Sequence, residues 1–337
     1  MHTRLMRAGP SHHYTSAKLR SKDWKGRTAK DIHNRVNYLI EILGNKPLQE
    51  ITRADMRSFV DILRQLPPNH TKSAQYVGKS ITEIIAMRPE QTLNVKTVNT
   101  IIQAVGSLFE WCVHERVLGD SPAKGLQVKD TRHAIDLREP FSREDLERIF
   151  AHPKFAQGTF KNPSYFWIPL IGLFTGMRLE EIAQLFCADI YQDKVSDLWV
   201  IDVNDKGKDE LGHEKTLKTK NAHRLIPIHK TLRELGLLDY RAHIEKGKYI
   251  RLFPELKMTE KVTQLGKQPG KQFKSVVEEA LDNADKKSFH SLRHSFSDFY
   301  KQRGMHSDYF RQLYGHEIRE LAARQYGSKF PPESGKK

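Results

Sequence analysis

Apolar residues recur with a helical period along almost the whole chain, and the period shifts to two in one short region only. That restricts the fold to a mainly α architecture carrying one small antiparallel β-sheet. The clearest helix runs over Val98, Ile101, Ile102, Val105, Leu108, Phe109, Cys112 and Val113, an i, i+3, i+4, i+7 rhythm that stops at Gly119. Val36, Leu39, Ile40 and Leu43 mark an earlier helix, closed by Gly44-Asn45 and Pro47. Thr52, with Asp55 three residues on, is a capping pair ahead of the stripe Met56, Phe59, Val60 and Leu63. Val77, Ile81, Ile84 and Ile85 predict one more.

These patterns divide the chain. Residues 1–26 are polar and basic without periodicity and read as a mobile arm. Residues 27–119 form a bundle of about four helices. Residues 120–139, with Pro122, Gly125 and mixed charge, read as a linker. Residues 140–337 form a second, mixed domain. In it, Ser142 caps a helix, and Tyr165 to Phe174 is apolar all round, as a buried helix should be. Thr175-Gly176 breaks that helix before Leu179 to Leu185 resumes. Leu198 to Val203 reads as a strand, and Lys215 to Lys220 followed by Arg224 to Ile228 as a hairpin. Helices return at Gln272 to Leu281, His290 to Gln302 and Ser307 to Tyr314.

Charge narrows the partner. The 56 Lys and Arg exceed the 41 Asp and Glu, giving a formal net charge of +15. Such an excess points to a polyanion, and to nucleic acid first. The 38% hydrophobic content excludes a disordered basic tail. Cys112 and Cys187, the two cysteines, lie in apolar helical patterns and read as buried thiols of a reducing compartment. The longest apolar run, Tyr165 to Thr175, is about half the roughly 20 residues of a membrane span. No secretory pattern follows the basic N-terminus, so the expected location is cytoplasmic and, given the charge, nucleoid-associated.

The residues fit to act on a phosphodiester come late. Arg178 follows Thr175-Gly176-Met177 and precedes a helix, a favourable place for an anion, and its planar fork suits a phosphate. Taken alone, it also reads as a surface arginine pairing with Glu180 or Glu181. His290 and Arg293 stand three apart and share a helix face. Beyond them come His294, Gly315-His316 and an isolated tyrosine, Tyr326. Arginines hold and neutralise a phosphate, histidines and a lysine move protons, and a tyrosine attacks. No carboxylate cluster of a Mg²⁺-binding kind accompanies them, and neither a cofactor nor a metal is required by this set.

In its order this set resembles the tyrosine recombinase (phage integrase) family. The matching pieces are Thr175-Gly176-Met177-Arg178 with Glu181, Lys218-Thr219-Lys220-Asn221 leading to Arg224-Leu225-Ile226-Pro227, His290-Ser291-Leu292-Arg293-His294, Gly315-His316 and Tyr326. The resemblance spans residues 30–330. It implies a helical, SAM-like core-binding domain and a tyrosine recombinase catalytic domain that clamp around double-stranded DNA. Arg178 and Arg293 would bind the scissile phosphate. Tyr326 would attack to give a 3′-phosphotyrosyl link. Lys218, in preference to its neighbour Lys220, would protonate the leaving 5′-oxygen, His290 would assist proton transfer, and His316 would hydrogen-bond the phosphate. Recombination implies a tetramer on DNA, and accessory DNA-bending proteins are possible partners. Tyr309 and Tyr314 read as core residues, Glu181 as a structural partner of an active-site arginine, and Trp167 and Phe174 as core.

Three other readings fit parts of the pattern. One is a catalytically silent DNA-binding relative, disfavoured because every catalytic position holds a competent residue type. Another is a type IB topoisomerase, against which the separate helical domain weighs. The third is a metal hydrolase using His290, His294 and His316, which lacks a carboxylate at a fitting interval.

Overall fold

Two units make up the chain, Met1–Thr131 and Arg132–Lys337, each with its own apolar core. The computed structural model describes residues 10–21, 24, 26–130, 139–217, 222–259, 262–305 and 313–315. The fold is mainly helical with one small antiparallel sheet.

The described residues of the first unit form the α-helices α1 (Pro10–Arg20), α2 (Gly26–Leu43), α3 (Arg53–Leu63), α4 (Ile81–Ala86) and α5 (Val95–His114). The stripes read from sequence for α2, α3 and α5 are the faces that are buried, whereas of the stripe read around α4 Ile84 is buried but Val77 lies before the helix and is exposed. Leu39, Met56, Phe59, Leu63, Val98, Val105, Leu108 and Phe109 lie in one core. The cap at Thr52 forms both ways: Asp55 N–H donates to Thr52 Oγ1 at 3.1 Å, and Thr52 N–H donates to Asp55 Oδ2 at 2.8 Å. Those bonds from Thr52, with help from Lys46, pull the Asp55 carboxyl down to about 2.

Two segments differ from expectation. Residues 10–20, part of the expected mobile arm, form α1, anchored by Tyr14. Its ring meets Trp24 edge-on at 5.0 Å and lies 5.6 Å from Trp111. One aromatic anchor on an otherwise polar helix leaves no periodic stripe to read. Residues 120–130, the first half of the expected linker, are tied down on this unit. Asn99 donates to Val128 O at 2.7 Å and accepts from Val128 N–H at 2.8 Å. Ser121 and Ala123 are buried.

The second unit opens with α6 (Arg143–Ala151), begun by a reciprocal cap between Ser142 and Asp145, then the short α7 (Pro153–Ala156) and α8 (Pro163–Thr175). Helix α8 is buried nearly all round, including Trp167, as its unbroken apolar sequence requires. Next come α9 (Leu179–Ala183) and strands β1 (Ile190–Gln192), β2 (Trp199–Val203) and β3 (Arg224–Pro227). The strands form an antiparallel sheet in the order β1-β2-β3, with Ile201 opposite both Ile190 and Ile226. The expected hairpin between Lys215–Lys220 and Arg224–Ile228 is therefore corrected: β3 pairs with β2. Residues 215–217 form no strand, and Lys218 to Lys220 lie outside the described residues.

Helices α10 (Lys230–Glu234), α11 (Leu237–Lys246), α12 (Lys267–Ala280) and α13 (Phe289–Gln302) follow. Among the described residues no helix is long and apolar enough to cross a membrane.

The approach of α13 to α8 positions the site. Gly172 gives the closeness: a Cβ there would fall 2.6 Å from the Phe289 ring. One turn on, Gly176 ends α8 in the left-handed region at φ 63°, its N–H donating to Gly172 O at 3.0 Å. A Cβ on Gly176 would lie 2.6 Å from the Phe296 ring. Two small residues a turn apart thus bring α13, with Arg293, beside the loop that carries Arg178.

Candidate active site

Arg178 is the residue immediately before α9, with extended backbone angles (φ −76°, ψ 148°). Glu181, in the first turn of that helix, reaches back to it. Its Oε2 accepts the Arg178 N–H at 3.0 Å, and its Oε1 lies 2.7 Å from the Arg178 guanidinium. The same carboxylate takes a second arginine: Arg224 at the start of β3 donates to Oε2 at 2.8 Å. Arg224 is 2% exposed and also donates to Leu313 O at 2.7 Å and Ala222 O at 2.8 Å. Glu180, the alternative partner for Arg178, is committed elsewhere, accepting the Leu265 and Gly266 N–H groups at 2.8 and 2.9 Å.

Arg293 is the third cation. It projects from α13, is 2% exposed, and donates through its two terminal nitrogens to the main-chain oxygens of Gly176 and Tyr314. Its guanidinium lies 3.5 Å from the centre of the Tyr314 ring, whose hydroxyl donates to Arg293 O at 3.0 Å. Among the described residues no carboxylate stands within ion-pair distance of it. Burial, and then the neighbouring positive charges of Arg178 and Arg224, bring Arg293 down to about 10, so it stays charged at neutral pH.

The electrostatic balance follows. Three guanidinium groups lie close together, and among the described residues the one carboxylate bonded to any of them is Glu181. Burial by itself would raise Glu181, but the charge and hydrogen bonds of Arg224, aided by Arg178, hold it below the ordinary carboxylate value. A site with a net excess of buried positive charge and forked donors is built for an anion with several oxygens.

Of the residues predicted from sequence, the structure brings together Arg178 and Arg293. His290 lies half-buried on α13, its ring edge-on to His294 at 4.8 Å. Lys218, Lys220, His316, Tyr326 and Tyr309 lie outside the described residues. Tyr314 is buried, as expected of a core residue, and burial pushes its phenol upward, the opposite of what a nucleophile needs. Glu181 is the arginine partner expected of it. Trp167 is core as expected, and Phe174 is partly buried against the same core, stacking on His229 at 4.7 Å. His213 and His223 pair with Asp209 and Asp205. Among the described residues no group of three or more His, Cys, Asp or Glu could hold a metal.

Sequence reasoning gave no role to Arg224, nor to the buried polar group behind it. Lys215 Nζ lies 2.6 and 2.7 Å from the two Asp189 oxygens and 2.7 Å from Asn204 Oδ1, over the Phe186 ring at 4.4 Å. A signal for Arg224 did exist, since a charged residue at the mouth of an apolar strand is costly unless paired.

The model of the family described as "Phage integrase family" matches residues 139–331. The chain belongs to the phage integrase family. These are the tyrosine recombinases, a class of DNA breaking and rejoining enzymes. Among solved structures, this integrase-family chain is similar to the Tn1549 transposon integrase in complex with a circular intermediate DNA. The identity is 16%, the TM-score 0.62, and 92% of each chain is covered. It is also similar to the lambda integrase dimer bound to a COC′ core site, at 13% identity and TM-score 0.57, covering 97% of this chain and 78% of that one. For the lambda integrase tetramer bound to a Holliday junction the values are 14%, 0.58, 93% and 77%. At these identities the likeness is one of fold. No curated protein sequence matches the chain.

Proposed function

We propose that this chain is a site-specific DNA recombinase that cuts and rejoins double-stranded DNA through a 3′-phosphotyrosyl intermediate, in the integration or excision of a mobile element. The observation that carries the reading is the arginine cluster. Arg178 and Arg224 share the Glu181 carboxylate, and beside them Arg293 is buried with its terminal nitrogens on the main-chain oxygens of Gly176 and Tyr314. Such a site neutralises a phosphodiester and gains most when charge builds on its oxygens in the transition state.

In this mechanism Arg178 and Arg293 hold the scissile phosphate and His316 adds a hydrogen bond. The Tyr326 phenol passes its proton to His290 and its oxygen attacks phosphorus. The bond from phosphorus to the 5′-oxygen breaks, its electron pair goes to that oxygen, and Lys218, or its neighbour Lys220, supplies the proton. The phosphotyrosyl bond conserves the energy of the original diester, so the second strand can be joined without ATP. Residues 27–119 act as the core-binding half of a DNA clamp, 140–337 as the catalytic half, and four copies assemble to exchange two duplexes. The protein acts in the cytoplasm, at the nucleoid, with DNA-bending proteins as possible accessories.

Covalent trapping tests this. Wild type and Tyr326→Phe are incubated with nicked suicide duplexes drawn from the DNA flanking the element, and SDS-resistant adducts are scored. The expected result is an adduct with wild type and none with Tyr326→Phe. An adduct that survives the substitution would assign the nucleophile elsewhere. Tight, specific binding without any adduct would make the chain a silent DNA-binding relative.

A further inference from the structure

One face of the loop and helix from Arg178 to Gln184 holds described residues on either side of positions 218–221. Arg178, Glu181 and Gln184 follow at intervals of three, so they share a side of that short turn of chain. Glu181 holds Arg224, and Arg224 in turn donates to Ala222 O, the first described position after the segment. Gln184 works at the other end. Its amide nitrogen donates to Thr216 O at 2.9 Å, and its amide oxygen accepts the Thr216 N–H at 2.8 Å, two residues before Lys218.

This second contact is a built one. Gln184 is 5% exposed, and both the nitrogen and the oxygen of its carboxamide bond the main chain of a single residue, as a strand neighbour would. The adjacent position is pinned by a different chemistry: the Lys215 ammonium is buried between Asp189 and Asn204, and Asn204 donates to Asp189 Oδ1 at 2.9 Å. Phe186 N–H donates to the other Asp189 oxygen at 2.7 Å. Leu217 is buried in the core one residue further on. Residues 184–189 therefore grip residues 215–217 side by side, although 215–217 belong to no strand.

We propose that Gln184 is a positioning residue for the general acid, acting through its two hydrogen bonds to the main chain of Thr216, two residues before Lys218. The inference rests on the recombinase reading given above. Gln184 touches no reacting atom; it acts through the main chain at Thr216. An oxygen leaving group needs the lysine proton because an alkoxide is a poor leaving group. A sulfur leaving group does not, since a thiol ionises near pH 8.5. Misplacing the lysine should therefore slow departure of oxygen and spare departure of sulfur.

The test compares two suicide duplexes of the sequence that wild type cleaves best, one with the natural 5′-bridging oxygen at the scissile phosphate and one with sulfur there. In both, the bond from tyrosine oxygen to phosphorus forms as the bond to the leaving atom breaks. Gln184→Met keeps the volume and removes both hydrogen bonds, Gln184→Glu keeps the acceptor alone, and Lys218→Ala and Lys220→Ala show the full effect of losing the acid. The quantity read is the ratio of cleavage rates, sulfur over oxygen, which does not depend on the fraction of each variant that folds. The expected result is a ratio in Gln184→Met roughly tenfold to a hundredfold above wild type, in the direction of the responsible lysine variant, with Gln184→Glu between. A ratio unchanged from wild type, with both rates lowered together, would overturn the positioning role and leave Gln184 a structural residue. Wild type that forms no adduct on either duplex would sink the recombinase reading first, before any variant is compared, and this inference with it.

Discussion

Glu181 bears the largest share of the site at the scale of single residues, because one buried carboxylate answers two arginines. Its replacement by Gln would leave Arg178 and Arg224 without a counter-charge, and Arg224 has no exposure through which water could compensate. Breaking a buried ion pair from one side costs about 3–5 kcal/mol, so Glu181→Gln should lower the melting temperature of the catalytic unit well beyond a surface substitution. The pH dependence gives the sign. The folded-state value of Glu181 lies below the ordinary 4.5. Its contribution is therefore complete above that ordinary value and is lost as pH falls through the folded one. Melting curves between pH 7 and 3 should show wild type losing more stability on acidification than Glu181→Gln. Parallel loss in the two proteins would show that Glu181 is not the group responsible.

Between elements, the site depends on how closely α13 approaches α8, and Gly176 is where that closeness is most easily broken. Alanine there would adopt a left-handed conformation that L-residues disfavour, with its methyl group against Phe296. Strain and overpacking together predict a loss of about 2–4 kcal/mol. Because Gly176 O also receives Arg293, cleavage should fall more than stability alone accounts for. Phe296→Leu in the Gly176→Ala background should recover part of the stability, since the two positions are in contact. Strict additivity of the two substitutions would refute the steric account. The same comparison shows what a sequence discloses. Caps at Thr52 and Ser142, the α5 stripe and the buried α8 are local patterns, and they were legible. The partner of β3 was not, because pairing across some twenty residues leaves no local mark and the three-residue β1 has too little pattern to register. Arg178 and Arg293 were legible through their motif and order. The role of Arg224 and the grip of Gln184 on Thr216 were not, because each depends on a contact made only once the sheet and α9 have packed.

On the scale of the whole chain, the positive excess is shared rather than concentrated. Residues 1–131 carry 20 Lys and Arg against 12 Asp and Glu, and residues 132–337 carry 36 against 29. The buried arginines of the site account for little of this, so most of the excess is free to contribute to binding a polyanion. Each phosphate neutralised releases condensed counterions, and affinity then falls with salt at a logarithmic slope of about −0.9 per contact on B-form DNA. A protein with both units engaged should make on the order of 6–10 such contacts and lose about 10³–10⁵ in affinity between 50 and 200 mM salt. Fluorescence anisotropy on a duplex of the cleaved sequence, titrated across that range, measures the slope directly. Substituting basic residues of one unit alone should then reduce the slope without abolishing it. A slope near zero for the intact chain would mean that its charge serves solubility rather than DNA, and the clamp of two basic units would fall with it.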